Sequence, residues 1–259
     1  MKVLFVGDII GKFGRKITKQ ILEDFRKNNP VDFVIANGEN LAHGSGITKK
    51  TYDEMVFSGV DFFTSGNHVW EKKEFLKEID YCDKLVRPAN YPPGAPGNEY
   101  AIAEKDHFKV GIINLAGRVF MPALDCPFRT IEPIIKKIKK ETSIIIVDFH
   151  AEASSEKNAL GHFLDGQVSA VLGTHTHIQT ADERVLPKGT GYITDVGMVG
   201  AQNSIIGVQI EPIIERYLTN LPKRYEPEDK GPGIFNGVVL TIDGKTGRCE
   251  MIDRIFKVL

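Results

Sequence analysis

The N-terminal residues constrain the fold most, because two short apolar runs flank an amphipathic segment. Lys2–Val6 and Asp32–Ala36 read as strands. Between them, apolar side chains recur at helical spacing, at Ile17, Ile21, Leu22 and Phe25. Strand, helix and strand in this order predict a βαβ unit with parallel strands. Ligands of open parallel sheets bind beyond the carboxyl ends of the strands, where Asp8, Glu39 and Asn40 should therefore lie.

Three later apolar runs read as buried strands, each followed by amide or imidazole side chains: Asn67 and His68 after Val60–Thr64, His150 after Ser143–Phe149, and His175 and His177 after Val168–Leu172. A folded sheet would bring these strand ends into one crevice. Taken singly, each side chain also has a structural explanation, as a helix cap, a turn residue or a satisfied core histidine. Eight ligand-type side chains at five successive strand ends favour a shared site instead.

The chemistry of these side chains favours bound metal. Carboxylates, amides and imidazoles in this number suffice for two divalent ions that share one carboxylate. Two such ions can clamp the attacking and leaving oxygens of a phosphoryl displacement. The spacing of Gly7, Gly11 and Gly14 is not that of a dinucleotide-binding turn, and no P-loop motif is present. Asp8 in the turn would repel a pyrophosphate unless a cation lay between them.

Composition excludes several other classes of protein. The chain has 259 residues, a formal net charge of −1 and no evident linker, which predicts a single domain over residues 1–259 without a strong nucleic-acid signal. Lys136–Lys140 reads as the solvated face of a helix. No apolar run is long enough for a signal peptide or a membrane span. Cys82, Cys126 and Cys249 are far apart in the sequence and predict a reduced, cytoplasmic protein.

Some local patterns make further predictions about secondary structure. Thr48 should cap the helix that carries Tyr52 and Met55. Glu71–Ile79 is expected to be helical. Arg118–Phe128 mixes aromatic residues with prolines and leaves two alternatives open, a lid over the site or a segment that packs on the sheet.

The motifs together resemble a known signature. Gly7-Asp8, Gly66-Asn67-His68, His150 and Gly173-Thr174-His175-Thr176-His177 look like the motifs of the calcineurin-like metallophosphoesterases. Asn37-Gly38-Glu39-Asn40 is more similar to one bacterial branch, the YmdB-like phosphodiesterases. The correspondence spans residues 8 to 177. It implies the α/β class and the α/β/β/α sandwich of that superfamily, with the metal site at the C-terminal ends of the strands.

The resemblance also implies roles for the eight side chains. The ligands would hold two metal ions, iron or manganese, in two sets that share one bridging carboxylate: Asp8, Asn40 and His177 for the first ion, Asn67, His150 and His175 for the second, and Glu39 for both. His68 directly follows a ligand and would be the general acid. It would protonate the leaving ester oxygen while a hydroxide between the metals attacks phosphorus in line.

Two positions depart from the superfamily pattern. The usual Asp-x-His is Asp8-Ile9-Ile10 here, so one histidine ligand is absent, and Asn40 takes its place in the branch that the chain resembles. The usual acid after Gly-Asn-His is Val69, which leaves Glu71 as a candidate to orient His68. The remaining histidines lack such a setting and are interpreted as surface or packing residues: His43, His107 and His162.

The resemblance implies hydrolysis of a small-molecule phosphodiester, a 2′,3′-cyclic nucleotide, with 3′,5′-cyclic nucleotides as a second candidate substrate. It also implies a homo-oligomer. Two other functions stay open: a phosphomonoesterase that uses the same site, and a metal-bound regulatory or RNA-associated protein whose hydrolysis is incidental. A purely structural cluster of caps and core histidines is the remaining alternative.

Overall fold

The computed structural model describes all 259 residues. Seven strands form the first sheet: β1 (Lys2–Val6), β2 (Asp8–Ile9), β3 (Phe33–Asn37), β4 (Phe62–Thr64), β11 (Met198–Ala201), β12 (Gly233–Ile242) and β13 (Cys249–Val258). Their order is β2–β11–β12–β1–β3–β4, and β13 also pairs with β12. Strands β1, β3 and β4 are parallel, which confirms the predicted βαβ unit.

Six strands form the second sheet: β5 (Tyr100–Lys105), β6 (Phe108–Ala116), β7 (Ile145–His150), β8 (Ala170–Thr174), β9 (Arg184–Val185) and β10 (Gly191–Ile193). Their order is β5–β6–β7–β8–β10–β9. The four central strands run parallel, while β5 and β9 are antiparallel edges. Both sheets therefore have parallel strands whose carboxyl ends can carry a site.

The first two helices pack on the outer face of the first sheet and the next two on that of the second, while the fifth borders a cavity. The five helices are α1 (Gly11–Asn28), α2 (Lys49–Ser58), α3 (Pro127–Ile138), α4 (Ser154–Phe163) and α5 (Ile210–Thr219). Thr48 caps α2 in a capping box with Thr51, as predicted. No helix combines the length and the apolar character that a bilayer crossing requires.

Successive side chains along each strand point to opposite faces of the sheet, and this separates the apolar core into layers. Val3 and Phe5 of β1 point between the two sheets, where they join Ile112 and Ile146 of the second sheet. The alternate β1 side chains, such as Leu4, pack with residues of α1 and α2. The alternate residues of β6 and β7 pack with α3 and α4 in the same way. Three apolar cores between four layers are the predicted α/β/β/α sandwich.

Two sequence-based expectations need correction. Glu71–Ile79 is not an α-helix but contains the 3₁₀ turn Lys73–Lys77 and the start of a second, Ile79–Tyr81. No side chain caps the first turn, and only Phe75 and Ile79 are buried, so too little packing supports a longer helix.

The segment Arg118–Phe128 is irregular only as far as Cys126, because α3 begins at Pro127. Phe128 packs edge-on against Phe163, with ring centroids 5.5 Å apart. The backbone N–H groups of Arg118 and Val119 donate to the carboxylate of Glu156. These contacts favour the packing alternative over a lid.

Candidate metal centre

The eight predicted side chains meet at one edge of the sandwich. Two groups of them place their ligand atoms within 4.8 Å of one another: Asp8, Glu39 and His177, and Glu39, His150 and His175. Glu39 belongs to both groups. The first sheet supplies both acids, while the second supplies the three imidazoles. Each sheet alone therefore carries only part of either group.

The two carboxylates are buried without a Lys or Arg partner. Asp8 and Glu39 are 0% and 1% exposed, and Asp8 Oδ1 has no hydrogen-bond donor. Burial raises the pKa of Asp8. Burial also opposes ionisation of Glu39, but the neighbouring His150 outweighs it and lowers the pKa of this carboxyl. Buried carboxylates are costly unless a cation compensates them, so the site fits a bound metal.

His150 lies at the centre of the second group. Its Nε2 is 3.1 Å from Glu39 Oε1, 3.1 Å from Asn67 Oδ1 and 3.0 Å from His175 Nδ1. Burial disfavours an imidazolium here, but Glu39 reverses this and raises the pKa of His150 to about 9. Burial and the charge at His150 lower the pKa of His175 to about 3. Carboxylate, amide oxygen and imidazole nitrogen are ligand types for first-row metals.

The first group is completed by His177 and Asn40. His177 Nδ1–H donates to the carbonyl of Ile206 at 2.8 Å, which leaves the Nε2 lone pair facing Asp8 Oδ1 at 3.8 Å. Asn40 presents Nδ2 to His177 Nε2 and to Glu39 Oε1, each at 3.2 Å. A metal would need the amide oxygen at this position, which a half-turn of the amide supplies.

Gly66 keeps the centre of the site open. A Cβ at this position would lie 2.2 Å from Glu39 Oε2 and 2.4 Å from His150 Nε2. Any larger residue would therefore occupy the space between the ligands. This explains physically why a glycine precedes Asn67.

A buried carboxylate below His150 fixes the orientation of its ring. The Thr174 hydroxyl donates to Asp148 Oδ1 at 2.7 Å and lies 2.9 Å from His150 Nδ1, so it accepts the Nδ1 proton. Thr64 and Asn37 donate to Asp148 Oδ2. Burial raises the pKa of Asp148 to about 7. Ligating histidines commonly use their second nitrogen in this way.

A second buried carboxylate, Asp195, holds the loop with the other two histidines. Lys157 Nζ donates to Asp195 Oδ2 at 2.6 Å, and both side chains are 1% exposed. The Thr176 hydroxyl and backbone N–H donate to the same oxygen at 2.7 and 3.1 Å. His175 and His177 flank Thr176 and have φ angles of 98° and 65°, a region that few non-glycine residues adopt. The ionic contact at Asp195 therefore stabilises a strained backbone at these two candidate ligands.

His68 lies at the edge of the site, beside the carboxylates of Glu71 and Glu152. The backbone N–H of His68 donates to Glu39 Oε2 at 3.1 Å, and His68 Nδ1 is 3.6 Å from Glu71 Oε2. Glu152 Oε2 is 3.1 Å from His175 Nε2 and so orients that ring from the solvent side. Five of the eight predicted side chains line a cavity of about 880 Å³, together with Glu71 and Glu152: Glu39, Asn40, His68, His175 and His177. Five later residues also line it: Ile206, Val208, Arg216, Tyr217 and Tyr225.

Sequence reasoning missed four residues that orient the candidate ligands, namely Asp148, Glu152, Thr174 and Asp195. The only sequence signal for Asp148, Glu152 and Thr174 was that they lie close to His150 or His175 in the chain. No sequence signal pointed to Asp195. The three other histidines, His43, His107 and His162, are exposed and do not line the cavity.

The two-sheet sandwich, with candidate metal ligands where its strands end, defines a calcineurin-like phosphoesterase fold. Two solved structures match the whole chain with a TM-score of 0.93. One is a hypothetical protein from Thermus thermophilus with 40% identity and 99% of its own length covered. The other is a novel phosphatase from Mycoplasma pneumoniae with 36% identity and 93% covered.

Sequence comparison gives the family. The family model described as YmdB-like protein matches residues 4–255. The 2′,3′-cyclic-nucleotide 2′-phosphodiesterase of Bacillus subtilis strain 168 is 48% identical over 255 residues, which cover 98% of this chain and 96% of that protein. The chain therefore belongs to the YmdB-like family.

Proposed function

We propose that the protein is a metal-dependent phosphodiesterase that hydrolyses 2′,3′-cyclic nucleotides, with 3′,5′-cyclic nucleotides as a second candidate substrate. The observation that carries this proposal is the pair of ligand groups that share Glu39. The named B. subtilis relative supports the substrate class. As a member of this family, the chain is a phosphoric ester hydrolase. The expected homo-oligomer and cytoplasmic location stay predictions.

The ligand sets can be assigned to two ions, for which iron or manganese is proposed. Asp8, Asn40 and His177 would hold one, Asn67, His150 and His175 would hold the other, and Glu39 would contact both. When bound, such ions polarise phosphoryl oxygens and lower the pKa of water.

His68 supplies the proton in the proposed reaction. Its Nδ1 faces Glu71, which leaves Nε2 to donate to the leaving ester oxygen. Hydrolysis then breaks one P–O ester bond and adds one water, so a cyclic diester opens to a nucleoside monophosphate. Because His68 belongs to neither ligand group, its loss should leave metal binding intact.

The test compares His68→Ala and Asp8→Ala, loaded with manganese or iron, on 2′,3′-cyclic AMP, 3′,5′-cyclic AMP and 3′-AMP. We expect His68→Ala to lose about 10²- to 10⁴-fold in kcat while it retains its metal by elemental analysis. Asp8→Ala should lose both metal and turnover. His162→Ala, on the exposed face of α4, is the matched control.

Other outcomes would overturn the proposal. Release of inorganic phosphate from 3′-AMP without ring opening would indicate a phosphomonoesterase. Full metal content without turnover of any of the three would indicate the metal-bound regulatory protein.

A further inference from the structure

One wall of the cavity is built by side chains that have no role in the proposed chemistry. Arg216 and Tyr217 come from α5, Tyr225 from the loop after it, and Ile206 and Val208 from the segment before it. This wall faces the same space as His68, His175 and His177. A substrate whose phosphate reaches the ligands would therefore place its remaining atoms against this wall.

Arg216 and Tyr225 form a cation–aromatic pair. The guanidinium carbon is 4.8 Å from the centroid of the Tyr225 ring, and Nη1 donates to the Tyr225 hydroxyl. Arg216 is the only Lys or Arg that lines the cavity, and no carboxylate pairs with it. The adjacent Glu215 pairs with Lys223 instead. The cavity thus has one cation without a carboxylate partner, and it lies over an aromatic ring.

Backbone hydrogen bonds tie together the two segments that flank α5 and Tyr225. Gln209 N–H donates to the Glu226 carbonyl, and Glu228 N–H donates to the Gly207 carbonyl, both at 3.0 Å. These bonds join the segments before and after α5. Pro227 packs so closely on Gly44 that a Cβ there would lie 2.6 Å from Pro227 Cγ. The wall is therefore a built surface rather than a free loop.

We propose that the Arg216–Tyr225 pair, with Ile206 beside it, is a subsite for the heterocyclic base of the substrate. Aromatic rings and guanidinium planes stack on nucleobases with little sequence preference. The cavity of about 880 Å³ lies in the range of small-molecule sites and exceeds what a phosphate alone would need. This proposal rests on the proposed function, because it assumes a nucleoside substrate.

The test compares two cyclic diesters that share a five-membered ring, 2′,3′-cyclic AMP and glycerol 1,2-cyclic phosphate. Only the first has a base. Tyr225→Leu and Arg216→Gln should raise KM for the nucleotide about tenfold or more, from the loss of stacking, and leave kcat/KM for the glycerol ester unchanged. Tyr81→Leu, at an exposed tyrosine outside the cavity, is the matched control.

Three results would overturn the subsite. Equal losses on both diesters would mean that the wall acts through the Ile206 contact to His177. Unchanged KM for the nucleotide in both variants would mean that the base binds elsewhere. A changed oligomeric state in sedimentation would assign the wall to a contact between copies of this chain.

Failure of the proposed function can be told apart from failure of the subsite. If wild-type protein opens neither diester, the phosphodiesterase proposal fails. In that case, the affinity of the wild-type protein and of Tyr225→Leu for adenosine 3′-monophosphate, measured by calorimetry, tests the subsite independently of turnover. We expect binding to weaken about tenfold or more in Tyr225→Leu, and equal affinity in both proteins would reject the subsite.

Discussion

Two buried carboxylates orient the imidazoles of the site, and their surroundings differ. Asp148 lies below His150 and accepts only from neutral groups, the side chains of Thr64, Thr174 and Asn37. Asp195 lies below the other two histidines and is paired with the ammonium of Lys157. Thr174 links Asp148 to the His150 ring by hydrogen bonds. Asp195 instead holds Thr176, and so the backbone between His175 and His177.

The difference follows from the backbone that each carboxylate supports. His150 is the last residue of β7, so the sheet already fixes its position. His175 and His177 lie beyond β8 with left-handed φ angles, which the sheet does not support. Neutral hydrogen bonds suffice at a strand end, whereas the strained loop is held by an ion pair.

The largest expected effect is the loss of stability when the ion pair is broken. Lys157→Met retains the aliphatic stem but leaves Asp195 as a buried, unpaired charge. We expect the free energy of unfolding to fall by about 3–5 kcal/mol, measured by urea denaturation. Lys257→Met, which breaks an exposed pair with Asp24, is the control and should change little. A similar small change in both variants would refute the ionic support of the loop.

The second largest effect is on metal affinity, which should change differently when Asp148 and Asp195 are replaced. Asp148→Asn perturbs only His150, and so only the second ligand group. Asp195→Asn perturbs His175 and His177, which belong to different groups. We expect each affected metal to bind about 10- to 100-fold more weakly. In a calorimetric titration with manganese, Asp148→Asn should weaken one binding step and Asp195→Asn should weaken both. Identical titrations for the two variants would contradict the division.

A third expected effect concerns pH and is spread over about three pH units. Burial raises the pKa of Asp148 to about 7, above about 3.9 in an unfolded chain. Between these values the folded state holds a proton that the unfolded state releases. Stability from this group is therefore complete below about pH 4 and is lost as pH rises to about 7, by at most about 1.4 kcal/mol per pH unit.

Denaturation of the chelated protein across this range, beside Asp148→Asn, measures that contribution by difference. The side chain of Asn does not titrate. The difference in free energy of unfolding between the two proteins should therefore change steadily from about pH 4 to about pH 7. A constant difference would show that Asp148 is ionised throughout.

Much of the fold was predictable because it depends on local patterns. The apolar runs indicated β1, β3 and β4, and their parallel pairing followed from the intervening helix. Glu71–Ile79 was predicted wrongly, since its helical spacing lacked a cap and enough buried contacts. The outer wall of the cavity was not foreseen, because Arg216 and Tyr225 belong to no local motif.

The sequence by itself determined which side chains could serve as ligands. Parallel strands must end at one edge, so the strand pattern alone places Asp8, Glu39 and His150 there. Tertiary structure alone decided how the two sheets face each other, and with it that Glu39 of the first sheet lies 3.1 Å from His150 of the second. It also decided that Asp195 pairs with Lys157. Such contacts join residues far apart in the chain, and no local periodicity encodes them.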